Sequence, residues 1–160
     1  MNTFFNSNMG VQLSAEQVSR HIVDFMKADP FREYKITIGT DSEKDSNDEA
    51  DFVTAIVVHR VGNGARYFWR RISGETKFHT LRHRITQEVL ISLAIAKEFL
   101  EAISKFDAPK YDFEIHLDIG QNGATKVMIQ ELVGMVRAHN FEAKTKPDSY
   151  AATNVADKHV

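Results

Sequence analysis

At 160 residues with a formal net charge of -2, the chain has the size of one domain and no protein-wide basic field, so nucleic-acid binding needs a local basic face. It has no cysteine, which removes disulfides, thiolate metal sites and thiol nucleophiles together. The opening MNTFFNSNMG has no basic, then apolar, leader pattern, and no stretch approaches about 18 uncharged apolar residues, so a cytoplasmic protein without a membrane span is expected.

The first predicted element is a helix in LSAEQVSRHIVDFMKADP. Ser14 caps it with Gln17 three residues on, Val18, Ile22, Phe25 and Met26 form its apolar stripe, and Asp29-Pro30 closes it. A strand follows from about Tyr34 to Asp41, then SEKDSNDEAD, which has the composition of a loop. FVTAIVVHRV and ARYFWRRIS are β-branched and aromatic segments separated by Gly62-Asn63-Gly64, which predicts a hairpin. From about Leu81 to Lys105, Ile85, Val89, Leu93, Ile95, Phe99, Leu100 and Ile103 recur at helical steps. YDFEIHLDIG reads as a strand and NGATKVMIQELVGMVRAHN as a helix, with Gly120 and Gly123 allowing the turn and Asn122 or Thr125 near the helix start. FEAKTKP reads as a short strand and SYAATNVADKHV as a last helix.

The order helix, three strands, helix, strand, helix, strand, helix predicts an α/β fold. Short connections make the first three strands an antiparallel meander, and the helical crossovers favour parallel, right-handed additions. The economical five-stranded sheet has the order 3-2-1-4-5, with residues 1–33 a helical extension packed on a domain spanning 34–160. Ligands in such sheets sit beyond the carboxyl ends of the strands, near the switch in strand order. Two acids arrive there, Asp41 closing ITIGTDS and Asp118 in EIHLDIG. Asp favours strand ends for turn chemistry alone. Held close together, however, two carboxylates repel, and a divalent ion such as Mg²⁺ relieves that repulsion through oxygen ligands. Glu88 shares one side of the long helix with Leu81, Ile85 and Ser92, which turns it toward the sheet unless it is a plain surface glutamate. The small-residue run AATNVAD carries Asp157, chosen as the fourth acid over Asp148, which a helix entry explains.

The succession Asp41, Glu88, Asp118, Asp157 resembles the ribonuclease H-like superfamily, and the strings IGTDS, LRHRITQE, HLDIGQNGAT, GMV and KPDSYAATNVAD are similar to the bacterial YkuK family within it, over about residues 34 to 160. The resemblance implies a ribonuclease H-like fold and four acids holding two Mg²⁺ or Mn²⁺ ions, Asp41 and Asp118 flanking them while Glu88 and Asp157 complete the shells. It also implies hydrolysis of nucleic-acid phosphodiester bonds by an in-line displacement between ions about 4 Å apart. A non-catalytic nucleic-acid-binding or regulatory module on the same fold is the alternative, and a structural protein whose acids cap turns a weaker one.

The acidic segment from Glu43 to Asp51 lacks the glycine and glutamate of an EF-hand and reads as a solvated hairpin loop. Arg70, Arg71, Lys77, Arg82 and Arg84, with His79 and His83, form a candidate phosphate-gripping group, and Trp69 or Phe78 could stack a base. An exposed helix start in front of a core aromatic is the plain reading. His79 and His83 have helical metal-pair spacing but no HExxH pattern, and DIGQNGAT is no phosphate-cradling glycine loop. His159 could assist proton transfer, and no GxSxG element supports a serine hydrolase.

Overall fold

The computed structural model describes residues 3–121 and 123–160; Asn122, one of the two residues expected near a helix start, lies outside them. The chain begins with a hairpin of β1 (Phe5–Ser7) and β2 (Gln12–Leu13), followed by α1 (Ala15–Lys27). Ser14 caps α1 as its sequence dictates: its hydroxyl accepts from the Gln17 amide at 3.2 Å, and the Gln17 side chain accepts from the Ser14 amide at 2.8 Å. The meander is β3 (Tyr34–Lys44), β4 (Glu49–Arg60) and β5 (Ala65–Lys77), then α2 (Leu81–Ile103), β6 (Asp112–His116), α3 (Ile129–Ala138) and β7 (Glu142–Lys144). A 3₁₀ turn at Lys126–Met128 precedes α3. The last segment is a π-helical turn, Ala151–Val155, running into a 3₁₀ turn, Ala156–His159.

The strands form one sheet in the order β2-β1-β5-β4-β3-β6-β7. Its last five positions are the expected 3-2-1-4-5, with β6 parallel to β3 and β7 parallel to β6. The two extra strands correct the purely helical reading of residues 1–33: Asn6 and Ser7 pair with Trp69 and Phe68 and so cover the edge of β5. The acidic segment is a second correction. Pairing of β3 with β4 runs through Glu43 with Asp51 and Lys44 with Ala50, leaving only residues 45–48 as a turn. The Asp45 carboxylate accepts the amides of Asn47 and Glu49 at 2.8 and 3.0 Å, and Asp48 adopts φ 63. There β4 also pairs with β5, Asp51 with Ser73 and Glu49 with Lys77, and Ala50 and Phe52 are buried with Phe78, so one apolar face holds the extension despite its polar composition.

The two faces of the sheet are covered differently. On one, α1, α2 and α3 close a core that includes Phe5, Val18, Ile22, Ile36, Ile38, Leu93, Phe99, Ile115 and Leu132. The hairpin and α1 thus share the core of the later strands. On the other face the C-terminal turns lie against Val53, Ala55 and Val57 through Ala151 and Ala156. Gly39 makes that approach possible, because a Cβ there would overlap the backbone of Ala151 and Ala152. Among the described residues no helix is long and apolar enough to cross a membrane.

Candidate metal centre

Parallel pairing of β3 and β6 ends with Gly39 opposite His116, so two residues further along each chain Asp41 and Asp118 arrive side by side. There the strands part company. β6 ends at His116, while β3 continues beside β4 to Lys44. This split at the carboxyl ends of the parallel strands is where open α/β sheets bind ligands.

Glu88 reaches the split from the helical face. One turn further along α2, the Ser92 hydroxyl bonds Thr40 at 2.7 Å, and Thr40 bonds Thr54 at 2.8 Å, so a chain of three hydroxyls pins the helix to β3 and β4 next to Asp41. Asp41, Glu88 and Asp118 each offer an oxygen within 4.8 Å of the others, the one such acidic group among the described residues. Asp157 comes from the opposite face, outside that group of three but near enough for its carboxyl to raise the pKa of Asp41. Asp148 does not join them; it lines a separate cleft with Lys35, Glu114, Lys144 and Tyr150.

The electrostatics of the bare cluster are unfavourable. Burial first, then the Asp157 and Asp118 carboxyls, push the Asp41 pKa up to about 8, against one backbone hydrogen bond from Ser42 that lowers it. Glu88 is raised well above the usual carboxylate range, chiefly by burial and then by the charges of Asp41 and Asp118, with Arg84 opposing. The Ser42 hydroxyl lies near Glu88, yet neither Glu88 oxygen has a partner with hydrogen-bond geometry, although the residue is only 4% exposed. A buried carboxylate left without a partner is costly. An all-oxygen donor set of this kind fits a hard divalent cation such as Mg²⁺ or Mn²⁺, which would satisfy Glu88 and relieve the repulsion among its neighbours.

Other side chains fix the acids in place. The Thr153 hydroxyl donates to Asp118 Oδ1 at 3.2 Å, and Lys146 Nζ lies 3.0 Å from the same oxygen. The turn carrying Thr153 is tied to β6, since the Ala151 amide donates to His116 Nδ1 at 3.1 Å. Beyond Asp157, the His159 ring stacks on Trp69 with centroids 4.3 Å apart and planes 8° apart, its Nε2 meets the Tyr67 hydroxyl at 3.2 Å, and its carbonyl accepts from Arg71. His159 is therefore an anchor for the turn that carries Asp157; burial, then the charges of Lys158 and Arg71, lower its pKa.

The basic group does not form one face. Arg84 lies at the cluster, its Nη1 donating to the Ser42 carbonyl and hydroxyl at 3.0 and 3.1 Å. Arg71 pairs with Asp51 at 3.4 Å, Arg82 pairs with Glu131, and Lys77 is exposed. Arg70 is the exception. Its guanidinium is buried over the Phe5 ring at 4.0 Å, pairs with Glu98 at 3.0 Å and donates to the Thr3 carbonyl at 2.8 Å, so it faces the core and cannot grip a phosphate. Phe78 is likewise core, packed edge-on against Phe52, and Trp69 is covered by His159. His79 lies 3.6 Å from Asp48 and the His83 ring packs on Phe78, so the two imidazoles serve different neighbours. Sequence reasoning passed over Lys146 and Thr153, since their contact with Asp118 joins positions about thirty residues apart and leaves no local pattern.

Comparison with known proteins agrees with the fold. The family model described as Ribonuclease H-like matches residues 17–160. The chain is 34% identical over 157 residues to the uncharacterized protein YkuK of Bacillus subtilis (strain 168), covering 92% of this chain and 91% of that protein. No solved structure matches it.

Proposed function

Because the chain belongs to the ribonuclease H-like family, we propose that it is a divalent-metal-dependent nuclease, cytoplasmic, hydrolysing nucleic-acid phosphodiester bonds at the cluster of Asp41, Glu88, Asp118 and Asp157. The observation that carries this reading is the buried Glu88 carboxylate, unpartnered on both oxygens and within 4.8 Å of oxygens of Asp41 and Asp118. Residues 34–160 are read as the nuclease domain and 1–33 as an extension sharing its core.

Asp41, Glu88 and Asp118 would hold one Mg²⁺ or Mn²⁺ ion, with Asp41 and Asp157 available to a second. The chemistry such ions would supply there is activation of a water and stabilisation of the leaving oxygen of the phosphodiester. The protein's own contribution is positional. Thr153 and Lys146 hold Asp118 Oδ1 and so fix the carboxylate in place beside the cluster. Arg84 bridges α2 to Ser42 beside Asp41 and offsets part of the negative charge that would repel a polyanion. Lys77, Arg82 and Arg84 are the proposed backbone contacts for nucleic acid, Arg71 a further one at the edge of β5. The acidic ribbon carries its own cations, Lys44 on Asp48 at 2.8 Å and Arg71 on Asp51, which reduces its repulsion of phosphates.

The test is cleavage with Mn²⁺ of single strands, duplexes, RNA–DNA hybrids and branched DNA. At least one class should be cut, and Asp41→Asn and Asp118→Asn should each lower the rate by about a thousandfold while leaving the fold intact. Full activity in both variants would refute the assignment. Metal binding without cleavage of any substrate would favour the non-catalytic nucleic-acid-binding module instead.

A further inference from the structure

Lys146 is the one lysine whose ammonium is paired with Asp118 among the described residues, and the fold delivers it there deliberately close. Its amide donates to the Ile119 carbonyl at 2.7 Å, which docks the chain after β7 against the chain after β6. Its stem then crosses Gly120, where a Cβ would stand 3.0 Å from Lys146 Cβ and 3.6 Å from Cδ. Gly120 therefore leaves a lane for the lysine, and Nζ ends 3.0 Å from Asp118 Oδ1. The Lys146 side chain is 46% exposed and that of Asp118 only 19%, so the cation reaches inward from solvent to a half-buried acid.

The charge balance gives this contact a consequence. The four carboxylates bring up to four negative charges, and Arg84 and Lys146 return two, so a single divalent ion neutralises the remainder. A second ion would have to enter against a fixed positive charge. We propose that Lys146 is a tethered counter-cation of the metal centre, holding Asp118 Oδ1 and competing with divalent ions for the cluster, an inference that rests on the metal-centre reading above. Lys146 thereby sets how tightly the cluster holds metal before any phosphate arrives to supply further negative charge.

The experiment is a Mn²⁺ titration of the wild type, Lys146→Met and Lys146→Arg, followed by calorimetry and by the loss of the free Mn²⁺ electron paramagnetic resonance signal. Removing a unit charge facing a divalent ion across roughly 6 Å of water-like screening should tighten binding about tenfold in Lys146→Met. Lys146→Arg keeps the charge and should stay near wild type. Metal-free melting curves show that each variant folds, which the half-exposed position of Lys146 favours. Unchanged or weaker binding in Lys146→Met overturns the proposal, and wild-type binding in the same titration leaves the metal centre standing. Binding by Lys146→Met alone upholds it. If neither protein binds Mn²⁺, the counter-cation and the metal centre fall together.

Discussion

Glu88 and Glu114 are almost equally buried, at 4% and 5% exposure, yet their surroundings treat them oppositely. Glu114, on β6, lies 3.0 Å from His116 Nε2, with the ammonium groups of Lys35 and Lys144 at 3.6 and 3.9 Å. Because His116 Nδ1 accepts the Ala151 amide, its proton sits on Nε2 and is donated to Glu114. Burial first, helped by the charges of Lys35 and Lys144, lowers the His116 pKa against the opposing pull of Glu114, which favours a neutral ring in that role. Glu88 has no hydrogen-bond partner, and its charged neighbours are mostly other acids. Four residues further along β6 and its exit, Asp118 belongs to the unfinished cluster and not to the satisfied one. The contrast separates a polar network that supports the fold from one that waits for a ligand.

Mutation should pull the two glutamates in opposite directions. Glu114→Ala breaks a buried, paired network and frees the clamp on the C-terminal turns, so it should cost about 3 kcal/mol, measured by denaturant unfolding without metal. Glu88→Met replaces an unpartnered buried acid with an apolar side chain of similar length, and should raise metal-free stability by about 1 kcal/mol while removing any stabilisation by Mn²⁺. Equal losses in both would erase the distinction.

The pH dependence sharpens the same comparison. The folded protein holds protons on Asp41 and Glu88 that the unfolded chain gives up near the ordinary carboxylate range. Where the native state binds more protons, stability falls as pH rises. The metal-free melting temperature should therefore decline by several degrees from about pH 4 toward the Asp41 value of about 8, and the stabilisation by Mn²⁺ should grow over that window. A flat metal-free profile would mean the cluster is not strained. The smallest effect is expected at the anchor: His159→Ala should cost about 1 kcal/mol and change the fluorescence of Trp69, the sole tryptophan, which it uncovers.

These contrasts also explain what could be read before the fold was known. Alternation in ITIGTDS and EIHLDIG, with two helical crossovers, was enough to make their strands parallel neighbours, and that pairing brings Asp41 beside Asp118. Helical spacing turned Glu88 inward because Leu81, Ile85 and Ser92 share its side of the helix. The β1–β2 hairpin was not legible, since strands of three and two residues are too short for alternation to appear. Arg70 was misread for a different reason: neighbours along a strand point to opposite faces, so Arg70 and Arg71 could not both belong to one basic surface. Lys146 left no trace in the sequence because its role depends on two loops meeting across Gly120.

The most direct test is a Mn²⁺ titration of the wild type beside Glu88→Gln, with melting curves confirming that both are folded. Saturable binding is expected in the wild type, with loss of protons on binding and at least a tenfold weaker affinity in Glu88→Gln, about 1.4 kcal/mol. Equal affinity in the two proteins, or a wild type that binds no divalent metal, would contradict the metal-centre reading.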